Sequence, residues 1–352
     1  MKADFAPVTA LLQAAHEQHA FPAAAIEVGR TRGVIWQAAS GHLTYEPGVA
    51  ATTIDTLFDL ASLTKVIATT PLLMRLVADR RLLLNTPLRR LVPGWNTPER
   101  AGVQILDLLE HSAGLPSWAA LYAGADTPAR FADAIAALPL EYRPRSRSIY
   151  SDLGFLLLGF VVAETGARSL DEQFADQLGG DALRFNPPRS LANRIAPTED
   201  DRHWRGRLLV GEVHDENAAA LGGVAGHAGL FGSAPAVGAY ARLVLQTLRA
   251  PTTLGEPWLL RRFLAASPVR GSSRALGWDL MRPTSSCGAR LSRSAFGHTG
   301  FTGTSLWIDP LKDLYVVLLT NRVHPQRPAD ANDLLKRVRP AVHDAVAAAV
   351  AG

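Results

Sequence analysis

Cysteine is nearly missing from this chain. Cys287 stands alone among 352 residues, so no internal disulfide and no multi-cysteine metal site can form; in its Ser-Ser-Cys-Gly turn it reads as an ordinary loop thiol. Long hydrophobic runs are missing too. The longest, Gly154 to Ala163, is far short of the ~20 residues that span a bilayer. The N-terminal Met1-Lys2-Ala3-Asp4-Phe5-Ala6-Pro7 lacks the basic start and apolar core of a secretory signal. The expectation is therefore no membrane span and a cytoplasmic location, unless a leader has been removed. Charge of one sign is not in excess: the net charge is +4 and the arginines are scattered, which argues against a nucleic-acid partner. A hydrophobic content of 47% leaves a chain able to bury a large core in one or two domains.

Lysine is the most informative scarcity. Of 36 Lys+Arg residues, four are lysines: Lys2, Lys65, Lys312 and Lys336. Lys65 nevertheless sits in the apolar stretch Ser62-Leu63-Thr64-Lys65-Val66-Ile67-Ala68. If Ser62 opens a helix, residues three apart share a face and the amine reaches the hydroxyl. Guanidinium keeps its proton in a protein, whereas a buried ammonium can become a base. The plainer reading is a serine N-cap and a lysine snorkelling from a core helix, because S-x-x-K alone is a weak pattern.

Apolar spacing predicts a helix over 7–19, then a hairpin from Ala23-Ala24-Ala25-Ile26-Glu27-Val28-Gly29 and Val34-Ile35-Trp36-Gln37-Ala38,. The helix from Ser62 runs to about Asp79 with a bend expected at Pro71. Further helices are expected over 103–111, 128–138, 153–164 and 237–248. The middle, 186–235, is irregular and rich in glycine. Strand character returns over 276–280 and 296–308 and is clearest over 314–321; a last helix spans about 329–349. The expected architecture is α/β (α+β): 1–60 and 255–352 form a domain from both chain ends, and 61–254 a mainly helical insert.

Two more polar clusters accompany Ser62 and Lys65: Tyr150-Ser151-Asp152 at a helix entrance and His298-Thr299-Gly300 on a strand. His111, at a helix end, could serve as a catalytic base, but the plainer reading is a cap on helix carbonyls. His214, Asp215, Glu216 and His227 could gather around a metal, but no H-E-x-x-H or other ligand spacing supports it, so no metal and no cofactor is expected.

Taken together, the three clusters resemble the S-x-x-K, Y-x-N and K-T-G or H-T-G signatures of the serine penicillin-recognising hydrolases: class C β-lactamases, low-molecular-weight D-alanyl-D-alanine carboxypeptidases and β-lactamase-like esterases. The resemblance covers about residues 20–325. It includes Leu106 to Pro116, similar to L-L-x-H-x-S-G-L-P, and Gly229 to Ala234, similar to G-L-x-S-T-A. It implies an antiparallel sheet flanked by terminal helices, with Ser62 as acylated nucleophile, Lys65 as its proton acceptor and Tyr150 as proton relay. Asp152, His298, Thr299, Gly300 and Phe301 are implied in substrate binding, with the Ser62 and Phe301 amides as oxyanion hole. Gly300 is expected to let substrate lie against the strand edge.

Two positions depart from the commonest pattern. His298 replaces lysine, which suggests a pH-sensitive charge, and Asp152 replaces asparagine, an acceptor where donor and acceptor are usual. The implied activity is hydrolysis of a small ester, peptide or β-lactam. Asp152 favours ester or D-amino-acid peptide substrates over β-lactams. A catalytically silent binding module on the same fold is the rival of a different class. Oligomeric state is not legible.

Overall fold

The strand Leu314–Thr320 is apolar at every turn because both of its faces are covered. Tyr315, Val317 and Leu319 enter one hydrophobic cluster, and Leu314, Val316 and Leu318 enter another, as the two-residue period of a strand requires. In the computed structural model, which describes residues 3–327, 329 and 334–351, this strand lies inside an antiparallel six-stranded sheet. The order across the sheet is Gly33–Gly41, Ala23–Arg30, Leu314–Thr320, Ser305–Asp309, Phe296–Thr299 and Asp279–Leu280. Ala24 pairs with Thr320 and Ser305 with Leu318, so the two chain ends are joined in one sheet.

One face is covered by the helices Ala6–Glu17 and Leu335–Ala351, which pack on each other. The expected start of the last helix near 329 falls partly outside the described residues. The other face receives the helix Ala234–Thr247, although on sequence this helix was grouped with the insert. It is tied down by Glu27, fully buried, whose carboxylate accepts from Arg242 at 2.8 Å and from Tyr315 at 2.7 Å. A buried carboxylate is tolerable because it is paired and hydrogen-bonded.

The segment after Ser62 is not one bent α-helix. Lys65–Thr69 forms a π-helical turn, and an α-helix follows over Thr70–Ala78 with Pro71 in its first turn. Because the chain is already helical through Thr69, Pro71 stands inside a continuous helix, and its missing N–H leaves one ladder carbonyl to find another donor. The Thr70 amide reaches back to the Lys65 carbonyl, and the Val66 carbonyl, five residues before Pro71, takes the Tyr240 hydroxyl at 2.6 Å instead. The proline is thus absorbed by a change of helical register.

The helix Asp152–Gly166 is apolar all round because it is the buried axis of the helical part, capped by Ser151, which accepts from the Gly154 amide. Among the described residues no single helix is long and apolar enough to cross a membrane. Cys287 lies in its loop but is fully buried in the core under the terminal helices.

Candidate active site

Ser62 follows Ala61, whose φ of +47° is unusual for a residue with a side chain,. The turn is held by the buried Asp59, which accepts from the Ala61 amide at 2.8 Å and from the His214 amide at 2.7 Å. Burial raises the Asp59 pKa, against the lowering effect of those two bonds.

The Ser62 hydroxyl lies 2.9 Å from Lys65 Nζ and 2.7 Å from Tyr150 Oη. Lys65 is completely buried; its ammonium also donates to Asp152 Oδ1 at 2.6 Å and to the His227 carbonyl at 3.1 Å. Burial alone would lower the lysine pKa, but the Asp152 carboxylate and Tyr150 outweigh it and the pKa is raised,. Burial and Asp152 likewise raise the Tyr150 phenol, against the opposing pull of Lys65. The resting site therefore holds an ammonium and a neutral phenol, both aimed at one oxygen.

His298 does not carry the pH-sensitive charge expected of it. Its ring is buried, and burial with the nearby Lys65 and Arg274 charges pushes its pKa well below the ordinary histidine value. With Nδ1 2.8 Å from the Thr299 carbonyl, the neutral ring donates there, which leaves Nε2 as an acceptor. Gly300 also has a different reason to be glycine. A Cβ there would lie 2.6 Å from the Leu60 carbonyl and 2.1 Å from Thr304 Oγ1, so the missing side chain lets the 300–304 turn dock on the serine segment. Thr302 and Thr304 complete that dock by donating to the carbonyls of Asp59 and Leu60 at 2.7 and 2.9 Å. The expected single strand over 296–308 is accordingly two, with this turn between them.

His111 does end the helix Ile105–Leu109, but through its backbone, at φ +55° with its amide on the Leu108 carbonyl at 3.1 Å, and not through its side chain,. Its Nδ1 accepts from the Ser151 amide at 3.0 Å, and its ring packs 4.7 Å from that of Tyr150. Burial and the Arg274 and Lys65 charges keep it neutral, with a strongly lowered pKa. Arg274, whose guanidinium lies 5.2 Å from the Tyr150 ring centre, was not foreseen, and nothing in Ser-Ser-Arg-Ala-Leu-Gly announces it.

Two cavities meet at Ser62, Asp152 and Phe301. One, of about 330 Å³, is lined by Tyr150, His298, Thr299 and Gly300 and by the cations Arg274, Arg322, Lys336 and Arg339, with Asp279 as the added acid. The other, of about 300 Å³, is lined by Trp118, His214, Asp215, Glu216, His227 and Arg327. These last histidines are engaged in pairs: His227 lies 2.8 Å from Asp215 and His214 2.9 Å from Glu199. Burial resists ionisation of Asp215, but His227 and the Ala218 amide hold its carboxyl far below the usual range. Among the described residues no three such side chains converge as metal ligands do.

An antiparallel sheet under terminal helices, with a serine, a buried lysine and a tyrosine at the junction with a helical part, defines a hydrolase of the penicillin-recognising class. The chain belongs to the Beta-lactamase family, whose model matches residues 8–339. It is 32% identical over 333 residues to a protein of Escherichia coli (strain K12) named "Putative D-alanyl-D-alanine carboxypeptidase", covering 82% of this chain and 75% of that one. It is 29% identical over 351 residues to the N-acetylmuramyl-L-alanine amidase of Bacillus subtilis (strain 168), covering 86% and 78%. In fold it is similar to EstCE1, a hydrolase with promiscuous acyltransferase activity, at a TM-score of 0.76, 21% identity and 97% coverage of both chains.

Proposed function

We propose that this protein is a serine acyl hydrolase working through an acyl-enzyme on Ser62. The observation that carries this reading is the pair of hydrogen bonds on one hydroxyl, from Lys65 at 2.9 Å and Tyr150 at 2.7 Å. Attack on a carbonyl frees the serine proton, and a serine is a nucleophile only when a base takes it. Once Lys65 has lost its proton, its amine accepts the serine's, and Tyr150 hands one to the departing group. Water then cleaves the ester by the reverse relay. The amides of Ser62 and Phe301 hold the charge that develops on the carbonyl oxygen. Protein groups fill every role.

Tyr150 lines the cationic cavity and is not among the residues lining the acidic one. A proton donor must face the group it protonates, so the leaving group sits among Arg274, Arg322, Lys336 and Arg339 and the acyl group beside Asp215 and Glu216. A leaving group bearing a carboxylate, as in a peptide or a hydroxy-acid ester, suits that charge. The names of the two curated relatives, a carboxypeptidase and an amidase, support amide substrates.

A fluorophosphonate probe should label the peptide containing Ser62, located by mass spectrometry, and Ser62→Ala should abolish the label. A label that persists on Ser151 or Ser305 in that variant would overturn the assignment.

A further inference from the structure

Beside the acidic cavity stands a row of aromatic rings that acyl transfer itself does not need. Trp118 lines that cavity. Tyr122 lies 6.5 Å from it between ring centres, and Trp204 a further 4.8 Å on. Both indoles are 43% exposed. Two tryptophans held open to water beside a reactive serine mark a recognition surface more than a packing accident.

The row is fixed in place. The fully buried Asn217 accepts from the Tyr122 amide at 2.9 Å and donates to the Ala119 carbonyl at 2.9 Å. The Ser117 carbonyl accepts the Asp152 amide at 2.9 Å. Trp204 rests on the guanidinium of Arg205, 5.1 Å from its ring centre, and that guanidinium donates to the Val213 and His214 carbonyls at 2.7 Å each. Each ring is thus tied to the segments that carry Asp152, His214 and Asp215.

The rings meet at 49° and 56°, so they form a shallow, faceted cradle and not a slot for a flat base. The wall below supplies Asp215, Glu216 and Arg327. The occupant this combination fits has a flat apolar face and a rim of hydroxyl and amide groups, which describes a pyranose ring. An alkyl chain would use the rings but make no polar contact with the wall below, where Asp215 is paired with His227 and Glu216 with Arg327,.

We propose that Trp118, Tyr122 and Trp204 form a saccharide subsite that stacks the sugar ring of a glycosylated acyl group whose carbonyl lies at Ser62. The assignment of the sugar to the acyl side rests on the reading above, in which Tyr150 places the leaving group in the other cavity.

The test is binding, measured in the Ser62→Ala protein so that no turnover is needed. N-acetylmuramyl-L-alanyl-D-isoglutamine is compared with N-lactyl-L-alanyl-D-isoglutamine, which lacks only the sugar. The sugar-bearing compound should bind about tenfold tighter or more, with NMR saturation transfer concentrated on its ring protons. Adding Trp118→Ala or Trp204→Ala should remove that advantage, and Trp204→Phe should restore part of it; melting curves check that each variant is folded. Equal affinity for the two compounds, absence of binding by both, or an equal loss for both on truncating either tryptophan overturns the subsite. Failure of the acyl-enzyme reading is separate: that protein would still prefer the sugar while Ser62 resisted the fluorophosphonate.

Discussion

Asp152 holds the Lys65 ammonium at 2.6 Å, and this contact decides which protons the resting site keeps. With the lysine and tyrosine pKa values both raised, the base needed for acylation is a minor species at neutral pH. For p-nitrophenyl butyrate, kcat/KM should therefore climb with pH through neutrality into the alkaline range, at about tenfold per unit while one proton must be lost. Asp152→Asn removes the carboxylate that favours the ammonium, so the lysine pKa falls and the limb should move to lower pH. A limb that stays in place would show that Lys65 is not the group titrating. Lys65→Arg keeps the charge but cannot accept a proton, and it should lose well over tenfold in kcat, more than ~1.4 kcal/mol of barrier. At this scale the sequence was a good guide to Lys65, because a lysine in an arginine-rich chain is conspicuous. It was a poor guide to Arg274, which meets the Tyr150 ring through space and leaves no spacing to read; His111 stood out in the Leu106–Pro116 segment, but nothing there told that its ring packs on Tyr150.

The π-helical turn Lys65–Thr69 begins at the lysine itself, and its Val66 carbonyl is held by a residue more than 170 positions away, through the Tyr240 hydroxyl. Tyr240→Phe keeps the ring and leaves that buried carbonyl without its donor, which costs about 1–3 kcal/mol. Denaturant unfolding should show this loss, and kcat should fall more than KM rises because the turn carries the base and not the substrate. A variant as stable as the parent, with unchanged kcat, would mean that the register is held by Pro71 alone. Pattern reading found the serine helix and its proline but expected a kink, because a three-residue periodicity cannot register one turn of wider pitch. The paired strands Phe296–Thr299 and Ser305–Asp309 were read as one stretch for a related reason: the turn at Gly300–Thr304 is set by contacts with Leu60 and Asp59, far away in sequence.

Across the whole molecule, a net charge of +4 gives no sign of how unevenly the fold distributes it. Arg274 comes from a loop before the sheet edge, Arg322 from the end of a central strand, and Lys336 and Arg339 from the last helix, yet all four line one cavity at Ser62. Composition sees only their sum, which is why this sidedness was invisible before the fold was known, while the sheet joining both chain ends was legible from the apolar strands. The gathered cations should select a leaving group with a carboxylate. The comparison is N-acetyl-D-alanyl-D-lactate against the same ester with its carboxylate converted to the primary amide, so that the scissile bond is unchanged. At low salt the acid should be hydrolysed roughly tenfold more efficiently, the worth of a single charge-assisted contact of ~1.4 kcal/mol. Screening shortens from about 10 Å at 0.1 M salt to about 3 Å at 1 M, so the preference should shrink as salt is added. Turnover of the uncharged p-nitrophenyl butyrate should stay level over the same range. A ratio near one at low salt would place the leaving group outside the cationic cavity, and with it would go the argument that Tyr150 faces the departing group there.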